Sequence, residues 1–425
     1  MLIDRLKLEN YRGFRRFEVK LDPHFNLFVG DNASGKTSIL DAVKIGLDSW
    51  FIGMKGVAGI GKIDADEVHM KTIDHGDVVS FEKQFPARVL FSGSVMGQSV
   101  DWQRELGRDG GRTTTVGSKQ LELIAQQADD QVRSGDYEVT LPLVCSYGTE
   151  RLWYESPERK RVNNKESGKK WPSRFDGYRN CTAFEIQETD LLEWIREQVS
   201  AGQQRKSETV ALRVMREAIV GCVEGATDIY YDERYRDVVV VTSNDGPQLF
   251  RTLSDGQRMM VSMIGDLSKR AITLNPHLGG DVLRRTPGVV TIDELDLHLH
   301  PKWQRRIIHD LKRTFASIQF IVTSHSPQLV GEALPHEIRI LEDGAVTQPA
   351  HSFGVDSSRI LSEVMDAPSR NVDTDKLLSR MAKEINEEAL DQAQETLRKV
   401  EETLGEDDPE VTGANSLIAL LKTTE

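Results

Sequence analysis

The fold of this chain is decided by one stretch of eight residues, Gly30-Asp31-Asn32-Ala33-Ser34-Gly35-Lys36-Thr37. An apolar run at residues 25–29 precedes it and an amphipathic run at residues 38–43 follows it, so the context is a strand, a glycine-rich turn and a helix. Glycine at the first and sixth positions lets backbone N–H groups curl around phosphates, and the helix N-terminus adds partial positive charge. The stretch therefore predicts a phosphate-binding loop, or P-loop.

The side chains of this loop have separate predicted roles. Lys36 would reach the phosphates of ATP, and the hydroxyl of Thr37 would be a ligand of Mg²⁺. A glycine-rich turn without a ligand is the alternative, and the strand before it and the helix after it argue against that interpretation. The predicted nucleotide-binding residues of the loop are Gly30, Asn32, Ser34, Gly35, Lys36, Thr37 and Ser38.

Length and composition limit the classes of protein that need to be considered. The chain has 425 residues, which is enough for two domains or for one large α/β domain with an insertion. Its net charge of −13 does not favour nonspecific attraction to nucleic acid. No apolar run approaches the roughly 20 residues that cross a bilayer, and residues 1–5 lack the layout of a signal peptide. We therefore expect a cytoplasmic protein without a membrane partner.

Cysteine usage argues against a disulfide or zinc framework. The three cysteines, Cys145, Cys181 and Cys222, are an odd number at wide spacing. They are most simply interpreted as thiols of the core.

A second decisive stretch is Gly288-Val289-Val290-Thr291-Ile292-Asp293-Glu294. Here an apolar strand brings two adjacent carboxylates to its C-terminal end, where ligands lie in an open parallel sheet. One carboxylate can hold Mg²⁺ and the next can polarise the attacking water. We therefore assign Asp293 to the metal and Glu294 to the general base.

Four further motifs accompany the P-loop and the carboxylate pair. They are Asn10-Tyr11-Arg12-Gly13-Phe14, Leu253-Ser254-Asp255-Gly256-Gln257-Arg258, Leu295-Asp296-Leu297-His298-Leu299-His300-Pro301 and Ser324-His325-Ser326-Pro327. In order and spacing they resemble the ABC-type ATPases of the SMC, RecF and OLD kind. The resemblance extends over residues 1–60 and 250–345 and is looser between them.

The resemblance implies roles for four residues outside the P-loop. Arg12 would face the adenine of ATP, and a plain hairpin turn is the alternative. Ser254 and Gly256 would bind the γ-phosphate held by the opposite subunit of a dimer, although Asp255 replaces the usual glycine and a helix cap is the alternative. His325 would contact the γ-phosphate and couple hydrolysis to the state of the dimer. With Lys36 and Glu294, it completes the predicted catalytic set.

Two features leave the assignment of motifs open. The apolar run at residues 139–145 resembles a strand that in these families leads to a glutamine that senses the γ-phosphate, but no glutamine follows it. Gln187 is a more distant candidate. His298 and His300 are spaced like a zinc pair, yet the family's loop accounts for them and no cysteine lies nearby.

The predicted fold class is α/β, an ABC-type P-loop NTPase head with an inserted helical subdomain and a helical C-terminal tail. The predicted domains are the first half of the ATPase core (1–150), the inserted, mainly helical subdomain (151–250), the second half of the core (251–350) and the tail (351–425). Residues 80–106 predict a β-hairpin whose turn lies at Ser92-Gly93-Ser94.

The tail carries an apolar stripe at helical spacing between residues 377 and 404, opposite a face rich in Glu and Lys. It predicts either an element for partner docking or self-assembly, or helices that pack on the protein's own core. Residues 153–179 mix basic and aromatic side chains, which suits contact with nucleic acid, and a solvated loop is the alternative.

Overall, the chain resembles the PtuA-like ATPases of Septu antiphage systems. That resemblance implies a Mg²⁺-dependent ATP hydrolase that forms a head-to-tail dimer, or a higher oligomer, and regulates a separate HNH-type nuclease subunit. Two alternatives stay open: a RecF-like repair ATPase that clamps DNA, and a nucleotide-switched scaffold that hydrolyses ATP slowly.

Overall fold

The computed structural model describes residues 1–57, 61–76, 78–151, 172–183, 186, 188–368 and 370–424. The chain divides into two compact units, Met1–Gly354 and Val355–Glu425. In the described part of the chain, no helix has the length and apolar character that crossing a membrane requires.

The first unit contains all the strands of the described chain. Their bounds are β1 Leu2–Tyr11, β2 Phe14–Lys20, β3 Phe25–Gly30, β4 Met70–Asp74, β5 Val79–Lys83, β6 Ala87–Val95, β7 Gln98–Leu106, β8 Leu143–Tyr147, β9 Ala226–Asp232, β10 Asp237–Thr242, β11 Gly246–Leu249, β12 Gly288–Ile292, β13 Ile318–Thr323, β14 Ile338–Glu342 and β15 Ala345–Thr347.

The α-helices of the described chain lie in both units. Their bounds are α1 Lys36–Asp48, α2 Lys119–Arg133, α3 Glu188–Arg205, α4 Val210–Cys222, α5 Asp255–Leu274, α6 Val282–Arg285, α7 Pro301–Thr314, α8 Pro327–Glu332, α9 Ser357–Glu363, α10 Val372–Asn386, α11 Leu390–Leu404 and α12 Pro409–Thr424. Short 3-10 helices lie at Ser49–Gly53, Val116–Ser118, Arg174–Tyr178, Phe250–Thr252, Pro276–Asp281 and Pro335–Glu337.

The centre of the first unit is a six-stranded sheet in the order β15-β14-β3-β13-β12-β8. The pairs from β14 to β8 are parallel, and only β15 is antiparallel to its neighbour. Strands β8, β12 and β13 are buried along their whole length, as expected for apolar runs covered on both faces. The sheet confirms the predicted α/β class. Because β3, β13, β12 and β8 run in parallel, their C-terminal ends lie at the same end of the sheet.

A second, antiparallel sheet has the order β2-β1-β6-β7. Strands β6 and β7 form the predicted hairpin, but the predicted turn at Ser92-Gly93-Ser94 is wrong, since these residues lie inside β6. The turn is at Met96 and Gly97, which adopt φ of 50° and 79°. Gly93 instead permits a close approach of β1, because a Cβ there would lie 2.1 Å from the carbonyl oxygen of Leu2.

In the sequence between β8 and β12, the described chain contains helices α3 and α4 and the three-stranded antiparallel sheet β11-β10-β9. Helix α4 packs on α5 and α7, and thereby joins this region to the helices that flank the central sheet. Strands β4 and β5 form a separate two-stranded sheet.

The second unit is helical and has its own core. Five residues of the apolar stripe predicted for the tail are buried there with Val411 and other side chains of the unit: Met381, Ile385, Ala393, Leu397 and Val400. The stripe therefore forms the core of the second unit itself, and the docking role predicted for the tail stays a prediction.

Candidate functional site

The P-loop connects β3 to α1 and has three residues with positive φ. Gly30 adopts φ of 148°, Ala33 of 67° and Gly35 of 100°. A Cβ on Gly30 would lie 2.6 Å from the carbonyl oxygen of Leu341, and one on Gly35 would lie 2.5 Å from the ring of Phe14. Glycine at these two positions is thus required by the packing of the loop on its own neighbours.

Helix α1 begins at the P-loop with its first amides available to an anion. In the described part of the chain, no side chain caps this helix and no acidic residue lies in its first turn. The ammonium of Lys36 donates to the carbonyl oxygens of Gly30 and Asp31, at 2.8 and 2.7 Å. Burial lowers the pKa of Lys36, although the nearby carboxylates of Asp293, Asp31 and Glu294 oppose that change. The N-terminus of α1 is therefore suited to bind phosphate.

The carboxylate of Asp293 lies at the end of β12 and is held by two threonines. Thr37 donates from Oγ1 to Asp293 Oδ2 at 3.1 Å, and Thr323, at the end of β13, donates from Oγ1 to Asp293 Oδ1 at 2.5 Å. Hydroxyl and carboxylate oxygens are the ligands that Mg²⁺ prefers, and it usually takes only one or two carboxylates from the protein. Thr37 and Asp293 therefore fit a magnesium site that the phosphates of a nucleotide would complete.

Both backbone polar groups of Glu294, its N–H and its carbonyl oxygen, are held by hydrogen bonds. Its N–H donates to Thr323 Oγ1 at 2.7 Å, and its carbonyl oxygen accepts from Arg151 Nη2 at 2.7 Å. Arg151 also donates from Nη1 to the carbonyl oxygens of Asp293 and Gly148, at 2.6 and 3.0 Å. Glu294 itself adopts a left-handed conformation with φ of 48°.

Arg151 is a buried cation, with 1% of its surface exposed. Burial lowers its pKa to about 10, against the opposing effect of Asp293, Asp296 and Glu294, so the guanidinium stays charged at neutral pH.

These elements surround a polar pocket of about 230 Å³. It is lined by Asn32, Ala33, Gly35, Lys36, Thr37, Ser38, Asp293, Glu294 and His325. The structure thus brings together five of the predicted P-loop residues, both carboxylates and the predicted histidine, which lie in three distant parts of the sequence. Gly30 and Ser34 belong to the same loop without lining the pocket.

Arg12, predicted to face adenine, binds two carboxylates of its own chain. Its guanidinium donates to Asp41 Oδ2 and to Glu67 Oε1, both at 2.6 Å. It also lies 5.6 Å from the centre of the Tyr11 ring. Arg12 is therefore engaged in contacts that hold the β1–β2 turn against α1.

Ser254 and Gly256 lie at the N-terminus of α5 and are not among the residues that line the described pocket. Ser254 is the N-cap of the helix and forms a reciprocal capping box with Gln257. Gly256 is buried against the loop after β12, since a Cβ there would lie 2.5 Å from the carbonyl oxygen of His298. The N-terminus of α5 thus lies against that loop, with Ser254 exposed and Gly256 buried.

Several predictions concern residues outside the described chain or at its edges. Residues 153–171 of the basic and aromatic stretch, and the glutamine candidate Gln187, lie outside the described residues. Among the residues that the structure describes, no group of three or more His, Cys, Asp or Glu side chains could hold a metal. The side chain of His300 instead caps α7 by accepting from Lys302 N at 3.3 Å.

Sequence reasoning missed Arg151 and Thr323 as parts of the site. Both stand at or just after the C-terminal end of a strand, Arg151 after β8 and Thr323 at the end of β13. The rule that ligands lie at the carboxyl ends of parallel strands could have singled them out, once the sheet order was known.

Comparison with known proteins identifies related ATPase domains. Residues 5–220 match the family model described as AAA domain. A second AAA-domain model, whose description also names the AbiEii toxin of type IV toxin–antitoxin systems, matches residues 224–331. The chain is also similar to the SMC head domain from Thermotoga maritima, with 15% identity and a TM-score of 0.44 over 82% of this chain and 98% of that one.

Curated relatives include two retron proteins and one Septu protein. The "Retron Ec83 probable ATPase" of Escherichia coli is 24% identical over 86% of this chain and 76% of its own length. The "Retron Vc95 probable ATPase" of Vibrio cholerae is 31% identical over 39% of this chain and 32% of its own length. "Septu protein PtuA" of Bacillus thuringiensis is 37% identical over 24% of this chain and 26% of its own length. The matches confirm the predicted resemblance, and for two of the three relatives they span a third or less of the relative.

Proposed function

This chain belongs to the AAA-domain family, and from that premise we propose that it binds and hydrolyses ATP as the ATPase subunit of a defence complex. One observation carries the proposal: the P-loop, Asp293, Glu294 and His325 line the same pocket.

Binding and hydrolysis of ATP follow from the chemistry of the pocket. The amides at the N-terminus of α1 and the ammonium of Lys36 would bind the phosphates, and Thr37 and Asp293 would hold Mg²⁺, which neutralises charge that develops on the phosphates. The carboxylate of Glu294 would orient the attacking water and accept its proton. His325, which also lines the pocket, would donate a hydrogen bond to the γ-phosphate.

Dimerisation is supported by the location of Ser254 and Gly256. Both lie outside the described pocket, and Ser254 belongs to the exposed surface at the N-terminus of α5, while Gly256 is buried beside it against the loop after β12. In a head-to-tail dimer this surface would cover the pocket of the partner subunit and complete its γ-phosphate site. Because nucleotide would then be buried between two copies, ATP affinity and dimer affinity would be thermodynamically linked.

A defence role is supported by the names of the relatives, one of which is a Septu protein and two of which are retron probable ATPases. The separate nuclease subunit is what the resemblance to PtuA-like ATPases implies. The second unit, with its own helical core, would be the element that binds the nuclease. ATP-dependent dimerisation would then change the activity of the bound nuclease.

The composite site is tested by mixing two inactive variants. In Lys36→Ala the P-loop is disabled, and in Ser254→Ala the surface that would cover the partner's pocket is disabled. If the sites are composite, each heterodimer contains one intact site, and the mixture regains ATP hydrolysis that neither variant shows alone. If each chain holds a complete site, mixing restores nothing and the dimer mechanism is wrong.

The defence role is tested by a pull-down from the native cells, followed by mass spectrometry. The tagged full chain is compared with a chain that ends at Gly354, where the first unit ends. A nuclease retained only by the full chain supports the proposal. Retention of DNA or repair factors by both forms would replace it with the RecF-like alternative.

A further inference from the structure

Arg151 links two strand ends that the sheet places side by side. Strand β8 lies at one edge of the sheet, and among the described strands its partner is β12, in parallel. The last paired residues of these strands are Tyr147 and Ile292, and the N–H of the next residue, Asp293, donates to the carbonyl oxygen of Tyr147 at 2.8 Å. The guanidinium of Arg151 then continues this contact between the two chain segments, since it binds Gly148 on one side and Asp293 and Glu294 on the other.

The hydrogen bonds described for Arg151 all go to backbone carbonyl oxygens. Two of these oxygens belong to the consecutive residues Asp293 and Glu294, so their contacts fix the two peptide groups on either side of the Glu294 Cα. A guanidinium can bind both from adjacent nitrogens of one rigid plane, whereas an ammonium is a single point of charge. The site therefore uses the shape of arginine as well as its charge.

The backbone that Arg151 holds has a conformation that is costly by itself. A non-glycine residue with left-handed φ, such as Glu294, persists only where its surroundings impose it. Thr323 holds the N–H of Glu294 and Arg151 holds its carbonyl oxygen. With one of these contacts removed, the peptide can relax and the carboxylate changes direction.

We propose that Arg151 is a positioning residue that holds the backbone of Glu294 in its left-handed conformation and so aims the Glu294 carboxylate into the pocket. The catalytic part of this inference rests on the proposed ATP hydrolysis, and the structural part does not. Arg151 touches neither nucleotide nor water in this scheme and acts only through Glu294. It stands after the strand end where the related families were expected to supply a glutamine.

Arg339 provides a matched control in the same unit. It is a buried arginine on β14, with 5% of its surface exposed. It too donates only to described backbone carbonyl oxygens, those of Lys20, His336 and Ile338, at 3.0, 2.5 and 3.0 Å. Strands β3 and β13 separate β14 from β12. Replacing Arg339 therefore has the general cost of losing a buried guanidinium, without disturbing Glu294.

The experiment compares Arg151→Lys and Arg151→Met with Arg339→Lys and Arg339→Met in the full chain. Hydrogen exchange in nucleotide-free protein is followed by mass spectrometry in peptides that contain residues 288–299. We expect the Arg151 variants to exchange the amides around Glu294 about tenfold faster than the wild type, with Lys less severe than Met. In ATP hydrolysis we expect kcat to fall roughly 10- to 100-fold while KM for ATP changes little. Neither property should change in the Arg339 variants.

Three results would overturn the inference. The first is unchanged exchange of residues 288–299 in both Arg151 variants. The second is faster exchange with unchanged kcat, because the contact would then have no catalytic consequence. The third is general unfolding of Arg151→Lys while Arg339→Lys stays folded, because Arg151 would then support the whole fold. If the wild type itself hydrolyses no ATP, the proposed function fails, and exchange around Glu294 alone decides whether Arg151 positions it.

Discussion

The hydroxyl of Thr37 donates to the carboxylate of Asp293 at 3.1 Å, although 256 residues separate them in sequence. This contact joins the P-loop to the end of β12 and forms the magnesium site proposed above. Valine has nearly the same shape as threonine, so Thr37→Val removes only the hydroxyl. We expect it to weaken Mg²⁺-dependent ATP binding by roughly 10- to 100-fold, the usual effect of losing one contact to a charged group.

Calorimetric titration of ATP with and without Mg²⁺ measures this effect. Thr37→Ser keeps the hydroxyl and should bind as the wild type does, and all three proteins should bind equally in EDTA. Equal affinity of Thr37→Val and wild type in Mg²⁺ would show that the hydroxyl is not a ligand.

Ser254 has one role that the structure contains, as a helix cap, and one that we propose, as a ligand of the partner's γ-phosphate. Ser254→Ala should cost about 1 kcal/mol of folding free energy through loss of the cap. Thr209→Ala is a matched control, since Thr209 caps α4 by accepting from Leu212 N. We expect urea unfolding to give similar losses of stability for both variants, and only Ser254→Ala to lose ATP hydrolysis. If both variants hydrolyse ATP alike, Ser254 serves only as a cap.

Asp48, in the last turn of α1, makes folding stability depend on pH. Burial raises its pKa from 3.8 to about 6, although Lys44 and Arg104 act in the opposite direction. Its Oδ1 atom has no hydrogen-bond partner in the described part of the chain. Because the folded-state pKa is the higher one, the contribution of Asp48 to stability is complete below pH 4 and is lost as pH rises through 6.

Replacing Asp48 with asparagine removes this dependence. Relative to Asp48→Asn, the wild type should lose up to about 3 kcal/mol of unfolding free energy between pH 4 and pH 7.5, at 1.36 kcal/mol per pKa unit. Urea unfolding of both proteins at the two pH values measures the difference. A difference in stability that stays constant with pH would show that Asp48 has an ordinary pKa.

Gly93 is required where β1 and β6 approach each other. A Cβ at this position would lie 2.1 Å from the carbonyl oxygen of Leu2, in a paired strand that cannot shift freely. Gly93→Ala should therefore lower the unfolding free energy by about 1–3 kcal/mol, the usual cost of overpacking. Gly13→Ala, whose Cβ would have no described atom within 4 Å, should have little effect. Equal stability of the two variants in urea would contradict the close approach of the strands.

The local elements of the site were readable from the sequence because each is encoded in a short segment. A strand, a glycine-rich turn and a helix define the P-loop within residues 25–43, and an apolar strand followed by Asp293 and Glu294 defines the second half of the site. The predicted α/β fold is confirmed by the central sheet. It too could be predicted from short segments, because buried parallel strands are continuous apolar runs. The roles predicted for the site residues in nucleotide binding and catalysis, including those of Ser254, Gly256 and Arg12, stay predictions.

Local patterns were insufficient where the close approach of distant segments decides the structure. Ser92-Gly93-Ser94 has the composition of a turn, but Gly93 serves contact with β1, and the turn lies at Met96 and Gly97. The apolar stripe of the tail is amphipathic in either of its predicted roles, and only the packing of α10, α11 and α12 shows that its residues form a core.

The sequence by itself predicted which segment would bind phosphate and determined which segment carries the carboxylates, because those properties depend on residue type and on neighbours within a few positions. Only the tertiary structure decided that β8, β12, β13 and β3 end at one edge, in an order that differs from their order in the chain. That order places Arg151 and Thr323 on either side of Glu294 and Thr37 against Asp293. These contacts depend on the lateral pairing of strands far apart in sequence, and such pairing leaves no local pattern to read.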